Sequence, residues 1–170
     1  MFRNVFARLL ALSAILVLTG MALSPGAAAA EERPFKAMWT GNAHLKPIVF
    51  PTLWLNEETG EGEATHLGLF TWESVEVVTF ITNPDGVVES VAVDGKSFTM
   101  TAANGDKVFG TYSTEGFPNK AGDLIIHGTF TITGGTGRFA GATGGGDLFA
   151  IAFFSEGLPF IGLYEGTIDF

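Results

Sequence analysis

Hydrophobic and polar residues alternate with a period of two over most of the chain beyond residue 30. Phe35, Ala37, Trp39, Gly41, Ala43 and Leu45 share one parity, and Lys36, Thr40, Asn42 and His44 share the other. Such alternation puts one set on each face of an extended strand, so the stretch predicts a half-buried β-strand over 35–45. Similar patterns predict strands over 63–73, 75–82, 87–93, 97–103, 107–114, 123–133, 148–154 and 160–170, about nine in all. In the 123–133 strand Leu124, Ile126, Gly128, Phe130 and Ile132 fall on one face. No comparable run repeats every 3.6 residues, so helix is nearly absent from the prediction.

Punctuation between these segments is turn chemistry. Asn83-Pro84-Asp85-Gly86 combines a proline that presets φ with a glycine that admits positive φ. Asp94-Gly95 and Asn104-Gly105 read as two-residue hairpin turns. The Pro- and Glu-containing stretch 47–62 and the stretch 115–122 read as loops. Consecutive antiparallel strands with short connections form a meander, and closing the meander removes its exposed edges. The expected fold is therefore all-β: an antiparallel, about eight-stranded, up-and-down β-barrel of calycin-like type. A barrel of that size has an interior that side chains fill or that holds one small ligand. No repeat of 20–50 residues is visible, which argues against propellers and solenoids.

The N-terminus has a different pattern. Arg3 and Arg8 precede an almost wholly apolar run from Leu9 to Leu23; Ser24-Pro25-Gly26 then breaks it, and Ala28-Ala29-Ala30 offers an A-x-A cleavage site. This is the pattern of a secretory signal peptide over 1–30, followed by a single domain over 31–170. The apolar run of 15 residues falls short of the roughly 20 that a membrane-spanning helix needs. The expectation is an exported protein, periplasmic or extracellular, with no stable membrane span.

Charge then narrows the partners. The chain carries 9 Lys+Arg and 18 Asp+Glu; without Arg3 and Arg8, 7 bases face 18 acids, a net charge of −11. A surface of that sign repels nucleic acid, since it has no clustered cations to replace phosphate counterions. Cysteine is absent. That removes disulfides, thiolate metal sites, Fe–S clusters and a cysteine nucleophile, and leaves stability to the core.

The stretch most like a functional motif is TITGGTGRFAGATGGG, residues 131–146, with seven glycines in sixteen residues. Gly135 to Ala140 spells G-x-G-x-x-A, a dinucleotide-binding pattern. That reading needs a helix after the glycines to face the pyrophosphate. The chain continues instead with Gly141-Ala142-Thr143-Gly144-Gly145-Gly146, where each interior glycine would cost a helix about 1 kcal/mol. The better reading is a wide structural turn using Gly134, Gly135, Gly137, Gly141 and Gly144, with a single helical turn over Thr136–Ala140. Phe139 would plug the barrel, and Arg138 would stay in water or pair with a carboxylate.

Residues 128–146, GTFTITGGTGRFAGATGGG, resemble the signature of the allene oxide cyclase and dirigent-like barrel superfamily. There a strand ends in a Gly-Gly-Thr-Gly-basic-Phe turn that leads into the next barrel strand. Gly62 to Thr71 also looks like a strand of uncharacterised bacterial secreted relatives. The resemblance implies an eight-stranded antiparallel barrel. Some members catalyse cyclisation or radical coupling inside the barrel, but their functional positions do not map onto this turn, so it assigns no catalytic residue.

Candidate chemistry is sparse. His44 and His127 fall on polar faces, whereas His66 falls in phase with Phe70 and Trp72 on the predicted 63–73 strand. With Trp39 and Tyr164, these three form the candidate lining of a pocket for a small apolar molecule, in a region rich enough in aromatics to pack a core and spare some. No histidine pair has metal-ligand spacing, and no serine-hydrolase or zinc-protease motif occurs. No metal or cofactor is expected. Glu57, Glu58, Glu61 and Glu63 cluster in the predicted loop, where solvated charge and loose Ca²⁺ binding both fit, although the spacing is not that of an EF-hand loop. Two alternatives stand beside a ligand-binding barrel: a cyclase- or isomerase-like barrel enzyme, and a small outer-membrane barrel. The chain's close on Phe170, in phase with Ile168 and Tyr164, suits the latter. Predicted strands of about seven residues and a total of two tyrosines argue against it.

Overall fold

The computed structural model describes residues 32–154 and 157–170. Eight strands run in order: β1 (Arg33–Val49), β2 (Leu53–Ala64), β3 (Gly68–Thr82), β4 (Val88–Ala102), β5 (Lys107–Pro118), β6 (Leu124–Gly135), β7 (Thr143–Ala152) and β8 (Pro159–Asp169). Each pairs antiparallel with the next, and β8 pairs with β1, so the sheet closes into an up-and-down barrel. The predicted signal segment lies outside the described residues.

Inward positions follow the parity read from the sequence. Phe35, Ala37 and Trp39 of β1 and Leu124, Phe130 and Ile132 of β6 are buried. Aromatic rings fill the waist. Trp39 stacks on Trp72 with ring centroids 4.5 Å apart, Trp72 on Phe98 at 5.3 Å, and Phe130 on Tyr164 at 4.0 Å. Offset ring contacts of this kind add about 0.5–1.5 kcal/mol each beyond the area they bury.

Eight strands replace the expected nine, for three local reasons. The predicted loop 47–62 is mostly strand: β2 pairs with β1 on one side and β3 on the other. Its inward positions include Asn56 and Glu58, and polar residues there erase the alternation that marks a strand. Conversely, the predicted 63–73 strand is broken by a turn at 65–67, where His66 has φ +67° and Gly68 φ +71°, and its remainder runs on through the predicted 75–82 strand as β3. His66 is therefore exposed in a turn and shares no face with Trp72. Finally, Asp94-Gly95 is no hairpin. It sits inside β4 at a bulge, where the register shifts against both neighbours. Glycine is needed there because a Cβ would lie 2.5 Å from the Tyr112 ring. The other hairpin signal, Asn104-Gly105, does join β4 to β5.

The glycine stretch closes one end of the barrel. Gly137 to Phe139 form a single 3-10 turn between β6 and β7, and Phe139 and Ala142 are fully buried beside Ile168. Phe170 meets Phe139 edge-on at 4.8 Å, with the Arg33 guanidinium 4.4 Å above the Phe170 ring. The turn is tied to β5 by the Thr136 N–H donating to the Lys107 carbonyl at 2.8 Å. Gly137 is obligatory on two counts: its φ is +60°, and a Cβ would collide with Asp106 Oδ1. Arg138 is half-exposed and reaches the same aspartate at 3.5 Å.

Strands of 10 to 17 residues remove one objection to a membrane barrel, since they are longer than predicted. The faces supply a different one. The outward positions Thr59, Glu61 and Glu63 of β2 and Thr111, Ser113 and Glu115 of β5 are polar and exposed. A lipid-facing barrel needs an apolar band about 25 Å tall around its outside and a polar interior. Here the interior is aromatic, and β2 over 59–63 and β5 over 111–115 are polar outside. Among the described residues no helix is long and apolar enough to cross a membrane.

Candidate functional site

Four polar side chains break the apolar interior at neighbouring inward positions of β2 and β3. Antiparallel register sets Asn56 opposite Glu76 and Glu58 opposite Ser74. Asn56, Ser74 and Glu76 are buried. Glu58 retains partial exposure because it borders a pocket, while its carboxyl is enclosed by protein. A fifth member, Tyr112, comes from β5, two strands away. Gly95 lies between, paired with Glu76 on one side and Tyr112 on the other. With no side chain at 95, the tyrosine ring leans across β4 to reach β3. The glycine that resembled a hairpin signal is what lets this cluster form.

The five side chains make a closed hydrogen-bonded ring. Asn56 Nδ2 donates to Glu76 Oε1 at 2.7 Å and to Glu58 Oε1 at 3.3 Å. Its Oδ1 accepts the His44 backbone N–H at 2.9 Å, which fixes the amide orientation. The other side runs Glu58 Oε2 to Ser74 Oγ (3.2 Å), Ser74 Oγ to Tyr112 hydroxyl (2.8 Å), and Tyr112 hydroxyl to Glu76 Oε2 (2.5 Å).

Counting protons on that side assigns the charge state. Three contacts need three protons. Serine supplies one and tyrosine one, so the third must sit on a carboxyl. Burial raises the Glu58 pKa well above the ordinary carboxylate range, and the nearby Glu76 charge raises it further. Ser74, Trp72 and Asn56 oppose that rise. Glu76 is raised too, by burial, with Asn56 and Tyr112 opposing. The count requires one proton on the pair, and the stronger rise of Glu58 puts it there, leaving the negative charge on Glu76 with its two donors. The Tyr112 hydroxyl is pushed up by burial and then by the two carboxylates, so it stays protonated and donates.

Two adjoining chambers flank the carboxyls. The outer one, about 60 Å³, opens toward the end carrying the β1–β2 and β7–β8 connections. Its walls are apolar, with Val78, Phe80, Leu124, Ile126 and Phe153 among them, and its polar lining is Asn56, Glu58 and Glu76. The inner one, about 40 Å³, lies between the same carboxyls and the tryptophan stack, lined by Trp39, Trp72 and Tyr112. Glu58 and Glu76 border both.

Of the residues expected to line a pocket, Trp39, Trp72 and Tyr164 do meet inside the barrel, with Tyr164 4.7 Å from Trp39 and 5.8 Å from Trp72. Phe70 is buried nearer the closed end, and His66 lies outside, its Nε2 3.1 Å from the Pro34 carbonyl. The carboxyls were missed because Glu58 sits in an acid-rich stretch that reads as solvated. A usable signal was present: Asn56 and Glu58 share parity with Trp54 and Ala64, and Ser74 and Glu76 with Trp72 and Val78. Among the described residues no group of three or more His, Cys, Asp or Glu is placed to hold a metal ion.

Fold and site together define a closed eight-stranded antiparallel β-barrel with a buried carboxyl pair at the floor of an apolar mouth. No known family model matches the chain, and no curated protein sequence matches it.

Proposed function

We propose that this is an exported β-barrel that binds one small, mainly apolar molecule in its open mouth, with Glu58 and Glu76 meeting the molecule's polar end. The observation that carries the reading is the combination at the mouth: apolar walls above polar groups that converge from two strands. Such a combination is the usual build of a ligand site, where apolar surface gives affinity and a few polar groups fix orientation. The outer chamber is small, so the molecule is small or extends out of the mouth. The eight-strand barrel supports the likeness to the allene oxide cyclase and dirigent-like superfamily at the level of fold. Arg3, Arg8, the apolar run and Ala28–Ala30 support export.

Ala152 borders both chambers, so Ala152→Phe should fill them. Organic extracts of purified wild-type protein should contain a compound that extracts of the folded variant lack, seen by mass spectrometry. Identical extracts would refute the binding reading.

The one-proton carboxyl pair favours a second reading, an acid–base isomerase or cyclase. A neutral acid and a carboxylate side by side can donate and accept protons on one bound molecule.

A further inference from the structure

Three buried polar groups have no hydrogen-bond partner among the described residues: Trp39 Nε1, Trp72 Nε1 and the Tyr164 hydroxyl. Buried donors without partners are rare in folded proteins, because each forfeits its hydration. The two tryptophans share a wall of the inner chamber with Glu58 and Glu76. Trp72 helps to stabilise the carboxylate form of Glu58, yet its N–H makes no hydrogen bond. Indole N–H groups and carboxyls that face one small chamber without bonding each other leave room for a bridging oxygen.

We propose that the inner chamber is an oxygen site that takes the hydroxyl group of an alcohol ligand, its carbon chain lying in the outer chamber. This rests on the ligand-binding reading and names the polar end of the ligand. The assignment comes from donor and acceptor counts. Indole N–H groups only donate, and the carboxyl pair has lone pairs to spare. A hydroxyl oxygen accepts from the indoles while its own proton goes to a carboxyl. An ammonium has three protons and no lone pair, so it would leave both indoles unpaired. A hydrocarbon would likewise leave both indoles unpaired. The chamber, about 40 Å³, has room for a water-sized group, which needs about 10–15 Å³ of such space.

The test uses 1-butanol, n-pentane and butylamine, titrated into the whole protein and followed through the indole N–H signals in ¹⁵N-resolved NMR. Trp39→Phe and Trp72→Phe assign the peaks. Expected is binding of 1-butanol at least tenfold tighter than n-pentane or butylamine, with the Trp72 indole signal moving as hydrogen bonding requires. Trp72→Phe should weaken butanol several-fold without weakening n-pentane. Equal binding of pentane and butanol, or a still indole signal, would overturn the oxygen site and leave the apolar pocket standing. Tighter butylamine would overturn it in favour of a cation site. Failure of all three probes to bind would overturn the pocket reading and this inference with it.

Discussion

Glutamine in place of Glu58 imitates the protonated acid: its Nε2 donates to Ser74 and its Oε1 accepts from Asn56, so the ring keeps three protons for three contacts. The consequence is a stability difference that depends on pH. In the unfolded chain Glu58 loses its proton near pH 4.3. In the folded protein burial raises that pKa well above the usual range. A raised folded pKa means stability that is fully present below the unfolded value and lost as pH rises toward the folded one. Between the two, the native state holds one more proton than the unfolded state, so wild type loses about 1.4 kcal/mol per pH unit from this group. The variant has no such loss. For a domain of this size 1 kcal/mol is roughly 4 °C, so the melting temperature of Glu58→Gln should gain on wild type by about 5 °C per pH unit, then level off. Thermal unfolding of both proteins from pH 4 to 9 measures the difference, in which the pH response of the acids outside the Glu58–Glu76 pair cancels. A difference that stays constant over that range would refute a protonated Glu58.

Glu76→Gln alone should be tolerated, because the chain of donors can reverse and end on an ionised Glu58. The double variant should then be worse than the sum of the singles, since four protons compete for three contacts; additive melting temperatures would contradict the count. Gly95→Ala should push the Tyr112 ring off its bridge to Glu76, and in a double-mutant cycle with Tyr112→Phe the two losses should overlap. Independent losses would mean that Gly95 serves the strand and not the tyrosine. Gly137→Val should cost at least about 1–3 kcal/mol from its positive φ alone, before the clash with Asp106, and full stability by chemical denaturation would refute its role in the plug.

Whatever obeys a single period could be read in the sequence. Inward parity of β1, β6 and β8 was legible because one face is apolar and the other polar. So was the role of Phe139, because no helix can form over Gly141 to Gly146. The carboxyl ring was hidden for the same physical reason that makes it informative. Polar residues at Asn56 and Glu58 broke the pattern of β2, which then looked like a loop. Gly95 read as a turn because a local sequence signal cannot reveal a ring arriving from β5. His66 was misplaced because its left-handed backbone interrupts the alternation without a glycine at that position.

At neutral pH the Glu58 and Glu76 pair holds one proton. Side-chain carboxyl ¹³C shifts recorded from pH 4 to 9, with Glu58→Gln and Glu76→Gln for assignment, test it most directly. One carboxyl should still carry its proton at pH 7, and the other should be charged. Two carboxyls both ionised by pH 5 would contradict the claim.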